Sequence, residues 1–224
     1  MKVVRVKDYT QMSEELNKVF VDQIKVKPAS VVSFTTGKTP AGMAERFVQA
    51  VDEGLDISQT IMLNLDEYVG EKEGAYSVYR WMHEHIYNKL AQNPKEIHMM
   101  DAGAEDQQKE VDRYKALLER YPRDLQMLGL GTNGHIGANE PGTPFDASVF
   151  VADSYESTIQ ATKDLFDLTY EETPKQMFTM GFTEIMEAKC VVLAASGKAK
   201  AEAVKNVIEG PITEDVPASF LRNH

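Results

Sequence analysis

Apolar residues along this chain recur in two alternating rhythms. Met12, Leu16, Val19, Phe20 and Ile24 return at helical spacing, which predicts an amphipathic helix starting after Asp8 and ending by Pro28. Val31-Val32-Ser33-Phe34 is a compact apolar run that reads as a strand. It leads into Thr35-Thr36-Gly37-Lys38-Thr39-Pro40, where the proline suits the first turn of a second helix. Ile61-Met62-Leu63-Asn64-Leu65 is another buried-type strand, ending at Asp66-Glu67-Tyr68, and Tyr76 to Leu90 has helical character around Trp81 and Met82. Val111, Tyr114, Leu118 and Tyr121 form the stripe of a further helix, and Leu125-Gln126-Met127-Leu128 is the strand after it. A last unit joins the strand Cys190-Val191-Val192-Leu193-Ala194, through Ser196-Gly197-Lys198, to a helix running through Ile208 and stopped by Gly210-Pro211.

Strands alternating with helices predict a doubly wound α/β fold: a mainly parallel sheet with helices on both faces, Rossmann-like and three-layered. The 224 residues suffice for one sizeable core, so residues 1–224 are expected to form a single domain. Ligands of such sheets bind beyond the carboxyl ends of the strands. Four strands here end in Thr35-Thr36, Asp66, Gly131 and Ser196, and those four loops are expected to line one site.

Charge narrows the partners. A net charge of −11 argues against nucleic acid or an anionic membrane, both of which need clustered Lys and Arg, yet leaves room for a small anion in a local basic pocket. One cysteine, Cys190, cannot close an internal disulfide, and Met1-Lys2-Val3-Val4-Arg5-Val6-Lys7 lacks the apolar core of a signal peptide. No apolar run approaches the roughly 18 residues that cross a bilayer. A cytoplasmic protein is the expectation.

The loop Gly129-Leu130-Gly131-Thr132-Asn133-Gly134-His135-Ile136-Gly137-Ala138-Asn139-Glu140 carries the most chemistry. Small residues on both sides of His135 let backbone approach a ligand, and Asn133 and Glu140 could hold the imidazole in one tautomer. Thr36-Gly37-Lys38-Thr39 before a helix offers amides, hydroxyls and an ammonium to a phosphate. It is not a nucleotide-binding P-loop, because Val32 stands where the first glycine is required. Asp66, at the tip of an apolar strand, is placed to be partly desolvated and so to act as a base, whereas Glu67 should point elsewhere. His83 and His85, two apart on a helix, face different directions and read as surface residues; no zinc-type ligand spacing occurs, so no metal is expected.

With these residues in place the chain resembles the glucosamine-6-phosphate deaminase family, also called glucosamine-6-phosphate isomerase, in its shorter bacterial form. Thr36-Gly37-Lys38-Thr39-Pro40 is similar to its phosphate loop, Asn64-Leu65-Asp66-Glu67-Tyr68-Val69-Gly70 to its catalytic strand end, and Gly131 to Gly142 to its signature. Gly210 to Ser219 is similar to the segment after its last helix. The resemblance implies conversion of glucosamine 6-phosphate to fructose 6-phosphate and ammonia, without a cofactor, by ring opening, proton transfer and loss of nitrogen. It implies that His135, oriented by Glu140 and Asn133, opens the pyranose ring, and that Asp66 moves a proton between C2 and C1 through an enolamine. It places the phosphate on Gly37, Lys38, Thr39 and Lys200, beside Thr36.

The chain departs from the family in several places. Asn133 stands where many members have Asp, Ala138 where Phe is usual, and Asp164, next to Lys163, at the position of the family's phosphate arginine. Lys38, with Lys163 if its segment shifts, is one source of the missing charge. These changes keep galactosamine 6-phosphate, a 6-phosphogluconolactonase-like reaction and a non-catalytic sugar-phosphate sensor as alternatives. The sequence stops at His224, where the family continues into a further apolar strand, so an open sheet edge is expected. A monomer is favoured.

Overall fold

Asp8 opens the first helix by accepting the Gln11 amide at 2.8 Å, and α1 then runs Tyr9–Val26. Met12, Leu16, Phe20 and Ile24 are buried along it, while Val19 lies outside the stripe at its exposed margin. The computed structural model describes all residues from Met1 to His224. Five strands, β1 (Val31–Phe34), β2 (Ile61–Asn64), β4 (Glu96–His98), β5 (Leu125–Gly129) and β8 (Val191–Ala194), pair in the order β4-β2-β1-β5-β8. All four pairings are parallel.

The period-2 alternation of these strands divides the core. Val32, Phe34, Met62, Leu125 and Met127 face α1, α2 (Ala41–Asp52) and α3 (Val78–His85). Val31, Ile61, Leu63 and Leu128 face the other layer, α4 (Gln107–Arg120), α6 (Phe182–Glu187) and α7 (Ala201–Glu209). The sheet is therefore covered on both sides, as a parallel sheet requires, and the doubly wound α/β class follows directly.

Three strands lie apart from this sheet. β3 (Asp66–Tyr68), β6 (Phe150–Asp153) and β7 (Gln176–Thr179) form a second, antiparallel sheet in the order β3-β7-β6. The mainly parallel sheet expected from sequence is present, and this small antiparallel sheet is added to it. The run read as one strand into Asp66-Glu67-Tyr68 is two, because the chain changes sheets at Leu65. A single helix over Tyr76 to Leu90 is also corrected. Ser77 caps α3 by accepting the Arg80 amide, the helix breaks at Ile86, whose backbone is non-helical, and a short 3-10 turn, Tyr87–Lys89, follows. Residues 156–166, unassigned from sequence, form helix α5 (Glu156–Phe166).

β8 stands at the edge of the parallel sheet with Val191, Val192 and Leu193 half-buried. The residues after α7 end in a 3-10 helix, Pro217–Asn223, packed on α7. No helix is long and apolar enough to cross a membrane.

Phe20, Phe34 and Phe47 are fully buried and meet ring to ring, at centroid distances of 4.9, 5.6 and 6.2 Å, where α1 and α2 cross β1. Phe34→Ala should lower the unfolding free energy by about 3–5 kcal/mol in a urea titration; a loss below about 1 kcal/mol would mean that this layer is not close-packed.

Candidate active site

The site begins where β2 leaves its sheet. The Leu65 amide still donates to Phe34 O at 3.0 Å, in the register of the parallel sheet, but its carbonyl accepts the Met180 amide at 3.0 Å, beside β7. Tyr114 and Tyr87 fix the turn from below: their hydroxyls donate to Asn64 O at 2.6 Å and Asn64 Oδ1 at 3.0 Å. Asp66 is delivered in this way to the strand ends with only 8% of its surface exposed. Burial pushes its carboxyl up to about 7, with His135 pulling in the opposite sense.

Glu67 turns the other way and is fully buried. Its Oε1 accepts the Tyr68 and Val78 amides, each at 2.8 Å, and its Oε2 accepts the Tyr79 amide at 2.7 Å, so it caps α3 and ties it to β3. Burial raises its carboxyl to about 7 against these three donors, with the Asp66 charge adding to the rise.

After β5 the chain forms a tight loop closed by Gly131 N–H to His135 O at 2.9 Å. The imidazole lies against Gly131: a Cβ built there would stand 2.4 Å from the ring. Glycine is required because the ring occupies the side-chain position. Nδ1 of His135 is 3.4 Å from Glu140 Oε2 and has no closer partner. Glu140, nearly buried, accepts Asn133 Nδ2 on Oε2 at 2.7 Å and Thr158 Oγ1 on Oε1 at 2.8 Å. Burial alone would raise its carboxyl, but His135, Asn133 and Thr158 outweigh that and hold it below the ordinary value.

Asn133 makes no hydrogen bond to the imidazole. Its Oδ1 accepts the His135 amide at 3.1 Å and its amide nitrogen goes to Glu140, so the expected direct orientation of the ring is corrected to an action through Glu140 and the backbone. The segment after α7 braces the same loop, with Ala218 N–H to Gly134 O and Gly142 N–H to Glu214 O, both at 2.9 Å.

Thr36-Gly37-Lys38-Thr39 follows β1, with Pro40 at the cap of α2 rather than inside its first turn. Gly37 adopts φ +105°, and Tyr9 stitches the loop to the helix by donating to Lys38 O and accepting the Gly42 amide, each at 2.8 Å. Lys200 ends the short turn before α7, half-buried, and burial lowers its ammonium.

Eight of the nine residues singled out from sequence, Thr36, Gly37, Lys38, Thr39, Asp66, His135, Glu140 and Lys200, line one cavity of about 270 Å³; Asn133 supports it from outside. Lys38 and Lys200 are its only cationic side chains. Lys163 and Asp164 do not reach it. They pair with each other at 3.6 Å on the outer side of α5, and Asp164 also accepts Gln160. The helical turn that sends them outward puts Thr158, Leu165 and Phe166 on the cavity, so the expected contribution of Lys163 to its charge is corrected.

The His, Asp and Glu side chains form no group of three that could hold a metal ion. His83 and His85, expected at the surface, are half-buried, each with Nδ1 on a backbone carbonyl of its own helix and its ring against Tyr79 or Trp81. A second hollow of about 500 Å³, between α1 and α2, lies away from the strand ends, and there Arg46 pairs with Glu14 and Lys18 with Asp22.

A buried carboxyl, a histidine–carboxylate pair and a glycine-bearing loop before a helix share one cavity at the strand ends, the arrangement of an enzyme site of the α/β type. Residues 7–224 match the family of glucosamine-6-phosphate isomerases and 6-phosphogluconolactonases, and the chain belongs to that family. It is 42% identical over 225 residues to the glucosamine-6-phosphate deaminase of Ligilactobacillus salivarius, covering 100% of this chain and 93% of that protein. To the glucosamine-6-phosphate deaminase of Streptococcus uberis it is 42% identical over 227 residues, again covering 100% and 93%. A solved structure described as a monomeric glucosamine-6-phosphate deaminase superimposes with a TM-score of 0.95 at 36% identity, over 100% of this chain and 94% of that one. The 6-phosphogluconolactonase of Trypanosoma brucei shares the fold at a TM-score of 0.78 and 17% identity, covering 99% and 92%.

Asp66 carries a stability signature. Its folded value, about 7, lies above the roughly 3.9 of an unfolded chain, so the folded state is penalised as pH rises through that window, and fully so above it. Asp66→Asn should therefore raise Tm relative to the parent at pH 8, with the gain fading toward pH 4. An equal gain at both pH values would show that the carboxylate is solvated.

Proposed function

We propose that this protein converts glucosamine 6-phosphate and water into fructose 6-phosphate and ammonia, as a deaminating aldose–ketose isomerase. The observation that carries the reading is Asp66: a carboxyl lifted to about 7 at a strand tip, in one cavity with the His135–Glu140 pair and two lysines. Glucosamine-6-phosphate deaminases at about 40% identity along the whole chain support it.

His135 moves a proton from the anomeric hydroxyl to the ring oxygen, opening the pyranose. Glu140 stays anionic and stabilises the imidazolium that forms meanwhile, a task for which its lowered value suits it. Asp66 takes the C2 proton of the open chain while the aldehyde oxygen gains a proton from the C2 ammonium, giving an enolamine, and Asp66 returns its proton to C1. The resulting imine at C2 adds water and expels ammonia. A base that titrates near the working pH is ionised yet still basic, which is where general-base catalysis is most effective. Lys38 and Lys200, with the amides of Thr36 to Thr39, hold the phosphate; the two ammonium groups supply the charge but not the planar fork of an arginine.

A solved relative is described as a monomeric glucosamine-6-phosphate deaminase, which supports a monomer acting as one domain on a small amino-sugar phosphate.

Incubation with glucosamine 6-phosphate should release ammonia and fructose 6-phosphate in equal amounts. Asp66→Asn should lower kcat by about 10²–10⁴-fold. Lys200→Ala should raise KM by about tenfold or more while kcat changes little, since it removes binding common to ground and transition states. Binding of the phosphosugar with no ammonia released would refute the reading.

A further inference from the structure

Thr158 lies in the first turn of α5, and no role attaches to it so far beyond its bond to Glu140. Two hydrogen bonds fasten the start of that helix to the histidine loop: Thr158 Oγ1 to Glu140 Oε1 at 2.8 Å and Tyr155 Oη to Pro141 O at 2.6 Å. The other carboxylate oxygen, Oε2, accepts Asn133 at 2.7 Å and faces His135 Nδ1 at 3.4 Å. A glutamate carboxylate rotates readily about its last torsion, so a donor on one oxygen alone leaves its plane free. Donors on both oxygens, one from the loop and one from a separate helix, fix that plane. Thr158 suits the task because its β-branched side chain has few rotamers.

We propose that Thr158 is a positioning residue for the His135–Glu140 pair, holding the carboxylate so that Oε2 is presented to the imidazole. The assignment rests on the catalytic reading of that pair. His135 is the one titratable group at the carboxylate, and its other two partners, Asn133 and Thr158, are neutral donors.

Thr158→Val removes the donor and keeps the shape, Thr158→Ser keeps the donor, and Thr158→Ala serves as a second deletion should the valine variant fold poorly. Two readouts are needed: kcat and KM with glucosamine 6-phosphate, and the titration of the Glu140 carboxyl carbon followed by NMR in the free protein. Thr158→Val should lower kcat by about tenfold with KM within about twofold, the scale of one hydrogen bond to a charged group. It should also move the Glu140 midpoint upward, because a donor to the anion is lost, while Thr158→Ser stays near the parent in both. An unmoved Glu140 midpoint, or a loss confined to KM, would overturn the assignment and leave Thr158 as cavity wall. If the parent itself releases no ammonia, the deaminase reading falls. The Glu140 midpoint then decides on its own: a rise upholds the placement of Thr158, and no change overturns it.

Discussion

The site depends on the transfer of the chain between sheets at Leu65. One residue donates to the parallel sheet and accepts from Met180, just past the end of β7 in the antiparallel one, so Asp66 emerges at the seam between them. The seam buries it, and burial raises its affinity for a proton. Tyr87 and Tyr114 hold Asn64 so that the switch occurs at Leu65, and Glu67 pulls α3 against the other side.

Two carboxylates in the same cavity are driven in opposite directions by their surroundings. Asp66 is buried, with only the imidazole charge to favour its anion; Glu140 is also buried but accepts two hydrogen bonds and faces the imidazole. One is thereby suited to exchange protons near neutral pH and the other to remain an anion beside an imidazole. This separation of roles by environment is a recurrent feature of acid–base sites. The tight loop makes it possible, since glycine at position 131 leaves space for the ring and the segment after α7 ties the loop down.

Much of this was legible in the sequence because the relevant signals are local. Apolar runs ending in Thr35, Asp66 and Gly131 marked strand ends, and a parallel sheet puts such ends on one side. The elements without a local signal depend on non-local pairing. β6 and β7 are short antiparallel strands with no strong alternation, and they exist because the chain folds back from the seam. α5 carries only Ile159 and Thr162 as buried positions, so its periodicity is weak. Its helical geometry decided two matters that linear spacing could not: Thr158 reaches Glu140, and Lys163 and Asp164 point away. Spacing groups Asn133 with His135 and Glu140, but which of the two its amide meets is set by the fold of the loop.

The most direct measurement is the titration of the Asp66 carboxyl carbon by NMR in the free protein, assigned by comparison with Asp66→Asn. A midpoint near 7 is expected for a carboxylate withheld from water at the seam. A midpoint near 4, the value of a solvated aspartate, would contradict the placement of Asp66 as the base and with it the mechanism built on that residue.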